Sequence, residues 1–291
     1  MSIPRPNGNG ATDRVVIPCG KCMACLQKKR NEWAFRLKQE LKLSCNAYFV
    51  TLTYEDDKLP FLNYRTGKFF PKGYIPAEPF SISLDKSEIQ RFLKRLRHDL
   101  TVRDSIYPFK YFIVGEYGSI TNRPHYHALL FNVRTNEPIT IENLLLKHWK
   151  NGHIHIGTVS DRSISYTAKY VINKAEKLEN QNSGFAIMSK RPAIGANYIN
   201  THSDYHKKNQ AFYGTDQGKK VGLPRYYRDR IFNSEQIKEN LEKVQKIIDE
   251  KEIEELEKFR LKGENLYYAQ LMQKIQSESS SKNKSKKNSK L

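Results

Sequence analysis

The sequence predicts an α+β fold: a ferredoxin-like split β-α-β antiparallel sheet with helices on one face and a helical C-terminal extension. Three observations predict it. Four runs are rich in β-branched and aromatic residues, at 47–54, 110–116, 125–131 and 153–159. Segments of helical apolar period separate the first run from the second and the third from the fourth, giving the order β-α-β-β-α-β. Only a short turn separates the second run from the third, so these two pair as a hairpin. Such a sheet is covered by helices on one face and leaves the other for a site.

The elements follow in order. Residues 1–18 carry Pro, Gly and Asn without periodicity and read as a loose arm. Cys19-Gly-Lys-Cys22-Met-Ala-Cys25 reads as a tight loop or helix start, and over 27–43 Trp33, Ala34, Leu37 and Leu41 recur at helical spacing. The first strand follows at 47–54. Residues 55–84, with Pro60, Pro71, Pro76 and Pro79, read as an irregular insertion. Asp85 or Ser87 suits the cap of a helix holding Ile89, Phe92, Leu93 and Leu96. Strands at 110–116 and 125–131, a helix at 141–149, a strand at 153–159 and a helix from about 162 to 177 complete the block. The chain thus divides into an arm, Cys cluster and helix (1–46), a core (47–177), a basic accessory segment (178–232), a charged helix (233–276) and a Lys-rich tail (277–291) expected to be disordered. In the charged helix Ile237, Leu241, Val244 and Ile248 form a heptad-like seam, for docking on its own domain or for an oligomer contact.

Composition narrows the function classes. Fifty Lys and Arg against 31 Asp and Glu leave a formal charge of +19, which suits a polyanionic partner, nucleic acid first. Charge alone does not choose between DNA, RNA and an anionic membrane. The 17 Tyr and 14 Phe offer faces for unpaired bases, although most sit in strand-like runs and read as core. No apolar run is long enough to cross a bilayer, and the first residues carry no secretory apolar segment. Four Cys, three of them within Cys19–Cys25, suit a reducing compartment and a metal better than a disulfide scaffold.

The chemistry centres on His125-Tyr126-His127. Residues two apart on a strand share a face, so two imidazoles stand side by side there, as half of a metal site or as two half-buried core histidines. His153-Ile-His155 has the same spacing. A hairpin brings Glu116 near the two rings, and two nitrogens with one oxygen suit Mg²⁺ or Mn²⁺ acting on a phosphodiester. An Asp or Gln elsewhere could replace Glu116 as third ligand. On a helix, Tyr166 and Tyr170 lie one turn apart with Lys174 a turn further, and Lys169 sits beside the phenols. A tyrosine attacking a metal-held phosphodiester would store the bond as phosphotyrosine.

Phe49-Val-Thr-Leu-Thr53, Arg123-Pro-His125-Tyr-His127-Ala-Leu-Leu-Phe131 and Tyr166-Thr-Ala-Lys169-Tyr170 resemble the three ordered motifs of the HUH endonucleases. More closely, the chain resembles the replication initiators of gokushovirus-type Microviridae, small single-stranded DNA bacteriophages. The Cys19–Cys25 cluster, Gly115-Glu116-Tyr117-Gly118, Phe185-Ala-Ile-Met-Ser-Lys-Arg-Pro192 and Leu223-Pro-Arg-Tyr226 extend that resemblance over about residues 17 to 230. It implies rolling-circle replication: origin nicking, a 5′-phosphotyrosine, then strand transfer, in the host bacterial cytoplasm. It implies His125 and His127, with Glu116 by looser analogy, as metal ligands. Tyr166 and Tyr170, with Lys169, are then catalytic in successive cleavages. Thr51, Thr53, Arg123 and Lys174 are expected to meet DNA. The DNA partner would be the phage origin, single-stranded or supercoiled. No Gly-x₄-Gly-Lys-Ser/Thr loop is present, so a host helicase and polymerase are expected partners and no membrane is.

Cys19-x₂-Cys22-x₂-Cys25 suits Zn²⁺ if a fourth ligand, such as Cys45, completes it; an iron–sulfur cluster and free thiols are the alternatives. Two other readings of the whole chain compete: a nucleic-acid-binding protein without chemistry on the same sheet, and a hydrolytic metal-dependent nuclease in which Tyr only packs.

Overall fold

The structure, a computed structural model, describes residues 2–6, 12–16, 19–20, 22–77, 79–100, 107–135, 138–170 and 178–262. In chain order the elements are β1 (Ser2–Pro6), β2 (Thr12–Val16), α1 (Met23–Leu43), β3 (Ala47–Leu52), β4 (Phe61–Asn63), β5 (Lys68–Phe69), β6 (Ser81–Ile82), α2 (Lys86–Asp99), β7 (Lys110–Tyr117) and β8 (Pro124–Phe131). Then come α3 (Ile141–His148), β9 (Ile154–Thr158), α4 (Asp161–Lys169), β10 (Phe185–Met188), α5 (Asn197–Asn209), β11 (Tyr213–Asp216), β12 (Lys219–Gly222), α6 (Arg225–Ile231) and α7 (Ser234–Lys262). They divide into two compact units, Lys29–His202 and Met1–Lys28 with Ser203–Leu291.

The larger unit is the predicted α+β fold. Its sheet has the order β10-β7-β8-β3-β9, antiparallel throughout. The β7–β8 hairpin sets Glu116 opposite His125 and Val114 opposite His127. Thr51 of β3 lies opposite His127 on one side and opposite His155 on the other. Alternation sends Val50, Ile113, Tyr126 and Ala128 to one face, where Ile89, Phe92 and Leu96 of α2 and Leu144 and Leu145 of α3 cover them. Asp85 caps α2, accepting the Ser87 N–H at 2.8 Å, and Thr140 caps α3. Each fully buried apolar side chain here contributes roughly 1.5–3 kcal/mol.

The two helices of the split unit thus lie on one face, as expected, but the other face is not bare. Leu37 of α1 and Ile164 and Ala168 of α4 pack there against Phe112, Val114, Leu129 and Phe131. A buried ion pair fixes α1 in place: Lys110 Nζ meets Glu40 Oε2 at 2.8 Å, and the same oxygen accepts the Gly195 N–H at 2.7 Å. The site face is therefore a strip framed by two helices.

Several elements differ from the sequence reading. The 55–84 insertion holds a small sheet, β5-β4-β6, and the first residues form the antiparallel pair β1–β2. The segment read as irregular additions contains a fifth strand, β10, on β7, as well as α5, the β11–β12 hairpin and α6. A four-residue run, Phe185-Ala-Ile-Met, carries no alternation, so only the open edge of β7 reveals it as a strand. The helix carrying Tyr166 ends at Lys169; Lys174 and the rest of its expected course to 177 lie outside the described residues, as does the 277–291 tail. In the smaller unit α7 presents Leu241, Val244 and Ile248, three of the four seam residues, in exposed positions.

Candidate metal centre and facing tyrosines

The hairpin and the pleat create the site. Glu116 ends β7, and His125 and His127 stand two apart on β8, so all three project from one face. Glu116 Oε1 lies 2.9 Å from His125 Nε2 and 2.7 Å from His127 Nε2. One ligand atom from each residue falls within 4.8 Å of the others, a group that could hold a metal ion.

The far side of each ring is anchored. His127 Nδ1 bonds the Thr51 hydroxyl at 3.0 Å, and His125 Nδ1 donates to the Arg123 carbonyl at 3.2 Å. Both Nε2 atoms are thereby aimed at Glu116, the arrangement in which outer partners orient metal-binding imidazoles. Phe49 stacks on the His127 ring, 5.5 Å between centroids. The donor set fits a divalent ion: two oriented imidazoles and a carboxylate, partly open to solvent at His125.

Electrostatics agree with the geometry. Burial works against the Glu116 carboxylate, but hydrogen bonds from His125 and His127 outweigh it and hold its pKa at about 2. Burial likewise opposes charging of His125, yet the hydrogen bond and charge of Glu116 raise that ring above its ordinary value.

α4 brings the phenols in. Ser160 and Ser163 cap it reciprocally, and its Ile164 and Ala168 are buried against the sheet, which turns Tyr166 toward β8. Tyr166 donates to Glu116 Oε1 at 3.2 Å and lies 3.4 Å from His127 Nε2. Tyr170, the first residue past α4, stacks 6.1 Å from the His127 ring and 5.1 Å from Tyr166, and its hydroxyl also bonds Glu116. Burial, then the Glu116 charge, pushes the Tyr170 phenol up; Tyr166 is raised for the same two reasons. Lys169 is buried beside them, its Nζ 5.9 Å from the Tyr170 ring centre, and burial pulls its pKa down.

The other expected residues sit as follows. Thr51, read as a DNA contact, has its hydroxyl on His127. Thr53 is bound to the His153 carbonyl, and Arg123 pairs with Asp56 and donates to the Tyr54 carbonyl at 2.8 Å. Tyr126 points away from the cluster into the α2 face, where it bonds Tyr54 at 2.9 Å. The second His pair does not join the centre: His153 and His155 are exposed. Cys19, Cys22 and Cys25 form a second group that could hold a metal, with the Cys22 N–H donating to Cys19 Sγ at 3.2 Å. Cys45, expected as a fourth ligand, lies in the turn between α1 and β3, where its N–H donates to Asn132. Sequence reasoning missed the ring-holding parts played by Thr51 and the Arg123 carbonyl; the strand register carries that signal only once β3 is placed beside β8.

Fold and site together define a class: a split antiparallel sheet carrying a paired-imidazole and carboxylate centre, faced by two helix-borne tyrosines. Residues 47–175 match the family model of the ORF2 type of replication-associated protein. Replication-associated protein VP4 of Bdellovibrio phage phiMH2K is 28% identical over 233 residues, 74% of this chain and 67% of its own length. Replication-associated protein ORF2 of Spiroplasma virus 4 is 28% identical over 263 residues, 79% of this chain and 74% of its own. Replication-associated protein ORF4 of Chlamydia phage 1 is 26% identical over 235 residues, 74% and 53% of the two lengths. No solved structure matches. The chain is similar to the replication-associated proteins of small phages of the gokushovirus type, as its motifs indicated.

Proposed function

We propose that this protein initiates rolling-circle replication of a phage genome as an HUH-type nicking and joining enzyme with a tyrosine nucleophile. One observation carries the reading: two phenols converge on a Glu–His–His centre, with Tyr166 within hydrogen-bond reach of Glu116 and His127. Glu116, His125 and His127 would hold Mg²⁺ or Mn²⁺, which when bound polarises the phosphodiester and fixes it in line with the attacking oxygen. A phosphate can enter only if Tyr166 releases its bond to Glu116. The phenol oxygen then bonds to phosphorus, the bond from phosphorus to the 3′-oxygen breaks, and the phenol's proton balances the 3′-hydroxyl released. The second tyrosine repeats the step when the strand is transferred. Lys169 supplies positive charge beside the phenols, and Arg123 edges the approach to His125. The chemistry places the protein in the host cytoplasm, on origin DNA, single-stranded or supercoiled, with unwinding and synthesis left to host helicase and polymerase. Among the described residues no helix is long and apolar enough to cross a membrane. The three thiols at Cys19, Cys22 and Cys25 suit a structural Zn²⁺.

The test is incubation with single-stranded origin DNA and Mn²⁺, followed by a denaturing gel. A covalent adduct is expected, and it should disappear when Tyr166 and Tyr170 are both changed to Phe. Cleavage without an adduct would leave a hydrolytic nuclease, and a gel shift without cleavage a binding protein.

A further inference from the structure

A cleft of about 830 Å³ opens along the β10 edge of the sheet, between that strand and α2. Its lining holds four cations, Lys86, Arg97, Lys190 and Arg191, and no Asp or Glu. All four are exposed, and none makes an ion pair among the described residues. Two aromatic rings lie among them: Phe109 and Tyr111 stack 6.2 Å apart, and the Arg97 guanidinium sits 5.0 Å from the Tyr111 ring. The rings are half-buried, with faces left in the cleft. Elsewhere on α2 the basic residues are neutralised: Arg91 pairs with Asp85 and Glu88, and Arg95 with Glu88. This groove is where the unit's positive charge is left without a partner and set beside aromatic faces.

The position is separate from the metal centre. Tyr111 and Glu116 are five residues apart on β7, about 17 Å at the rise of a strand, and their side chains leave opposite faces. Nothing in the nicking chemistry uses the groove or the Phe185-to-Pro192 segment that forms its wall.

We propose that the groove between β10 and α2 binds single-stranded DNA, with Lys86, Arg97, Lys190 and Arg191 on its phosphates and Phe109 and Tyr111 stacking its bases. Unpaired cations track a backbone, and aromatic faces accept any base, so the groove holds a strand without reading its sequence. The proposal rests on DNA being the substrate of the metal centre, and makes the groove the grip on the strand beyond the cleavage point.

The experiment measures binding of fluorescein-labelled oligo-dT, 30 nucleotides long, by anisotropy across a salt series, and separately the nicking of a short origin oligonucleotide. A variant carrying R97E, K190E and R191E should bind at least tenfold more weakly. Its slope of log affinity against log salt should be shallower by about 2, from about 0.7 for each phosphate left without its cation. Nicking of the short oligonucleotide should be unchanged. A control with Lys238, Lys246 and Lys251 of α7 changed to Glu should lose less than threefold. Phe109→Ala should weaken binding at least fivefold with the slope unaltered. Parental binding by the triple variant, or equal loss in the control, overturns the proposal. So does competition by poly-Glu as effective as by oligo-dT, which would make the groove a general acidic-peptide site. Binding needs no cleavage: a wild-type protein that fails to nick but shows this groove-dependent binding sinks the nicking reading alone.

Discussion

Thr51 shows how one hydroxyl can matter to a metal centre that it does not touch. It holds His127 through Nδ1, 3.0 Å away, and so aims Nε2 at Glu116. Thr51→Val keeps the shape and removes that bond. We expect Mn²⁺ affinity to fall about 10- to 100-fold, measured by calorimetric titration, with DNA binding retained. His125→Ala should abolish adduct formation and leave salt-sensitive binding, because phosphate contacts are spread over many cations. The phenols report the local field. Tyr166 and Tyr170 are pushed up by burial first and by the Glu116 charge second. Removing that charge favours the phenolate, so Glu116→Gln should lower the titration midpoint of the buried tyrosines, read by ultraviolet absorbance. An unchanged midpoint would show that burial alone sets it.

α2 and the loop before β9 carry most of the support beneath the site. Glu88 on α2 is buried, and burial alone would raise its pKa. Hydrogen bonds from Lys72, Arg91 and Asn151 outweigh burial and bring it from 4.5 to about 2. A carboxyl depressed in the folded state stabilises fully above its unfolded pKa and loses that contribution as pH falls through its folded one. Stability should therefore drop between about pH 4.5 and pH 2, by on the order of 2–3 kcal/mol from this group, and Glu88→Gln should flatten that part of the acid-denaturation curve. The 149–153 loop is closed onto the end of β3 by Trp149 Nε1 to Thr53 O at 3.0 Å, Glu55 N to Asn151 O at 2.9 Å and Thr53 N to His153 O at 3.0 Å. Gly152 sits inside this seam at φ +152, and a Cβ there would lie 2.5 Å from Glu55 N and 2.6 Å from Thr53 O. Gly152→Ala should destabilise by about 2 kcal/mol or more in urea unfolding, because backbone on both sides would have to move.

The chain's charge of +19 governs association as a whole. DNA affinity should decline linearly in log salt with a slope reporting the number of phosphates neutralised, whichever single cation is removed. The larger unit resists disruption through its double-faced sheet. Glu40 and Lys110, almost fully buried, join α1 to β7, and Glu40→Ala would strand the Lys110 ammonium. A loss of about 3–5 kcal/mol is expected in denaturant titration, with α1 and the site-bearing face loosened together.

The residues themselves settled the order of strands and helices in the core, the sharing of one face by His125 and His127, and the placement of Glu116 beside them. Each follows from a local period or a short turn, which a chain expresses before it folds. They did not settle β10, whose four apolar residues have no period and become a strand only against the free edge of β7. Nor did they settle that α1 and α4 would frame the site face, that Thr51 would turn to His127 instead of DNA, or that Lys86, Arg97, Lys190 and Arg191 would share a groove. Those outcomes join residues as much as 105 positions apart, from Lys86 to Arg191, and the closure that joins them is chosen by packing across the whole sheet.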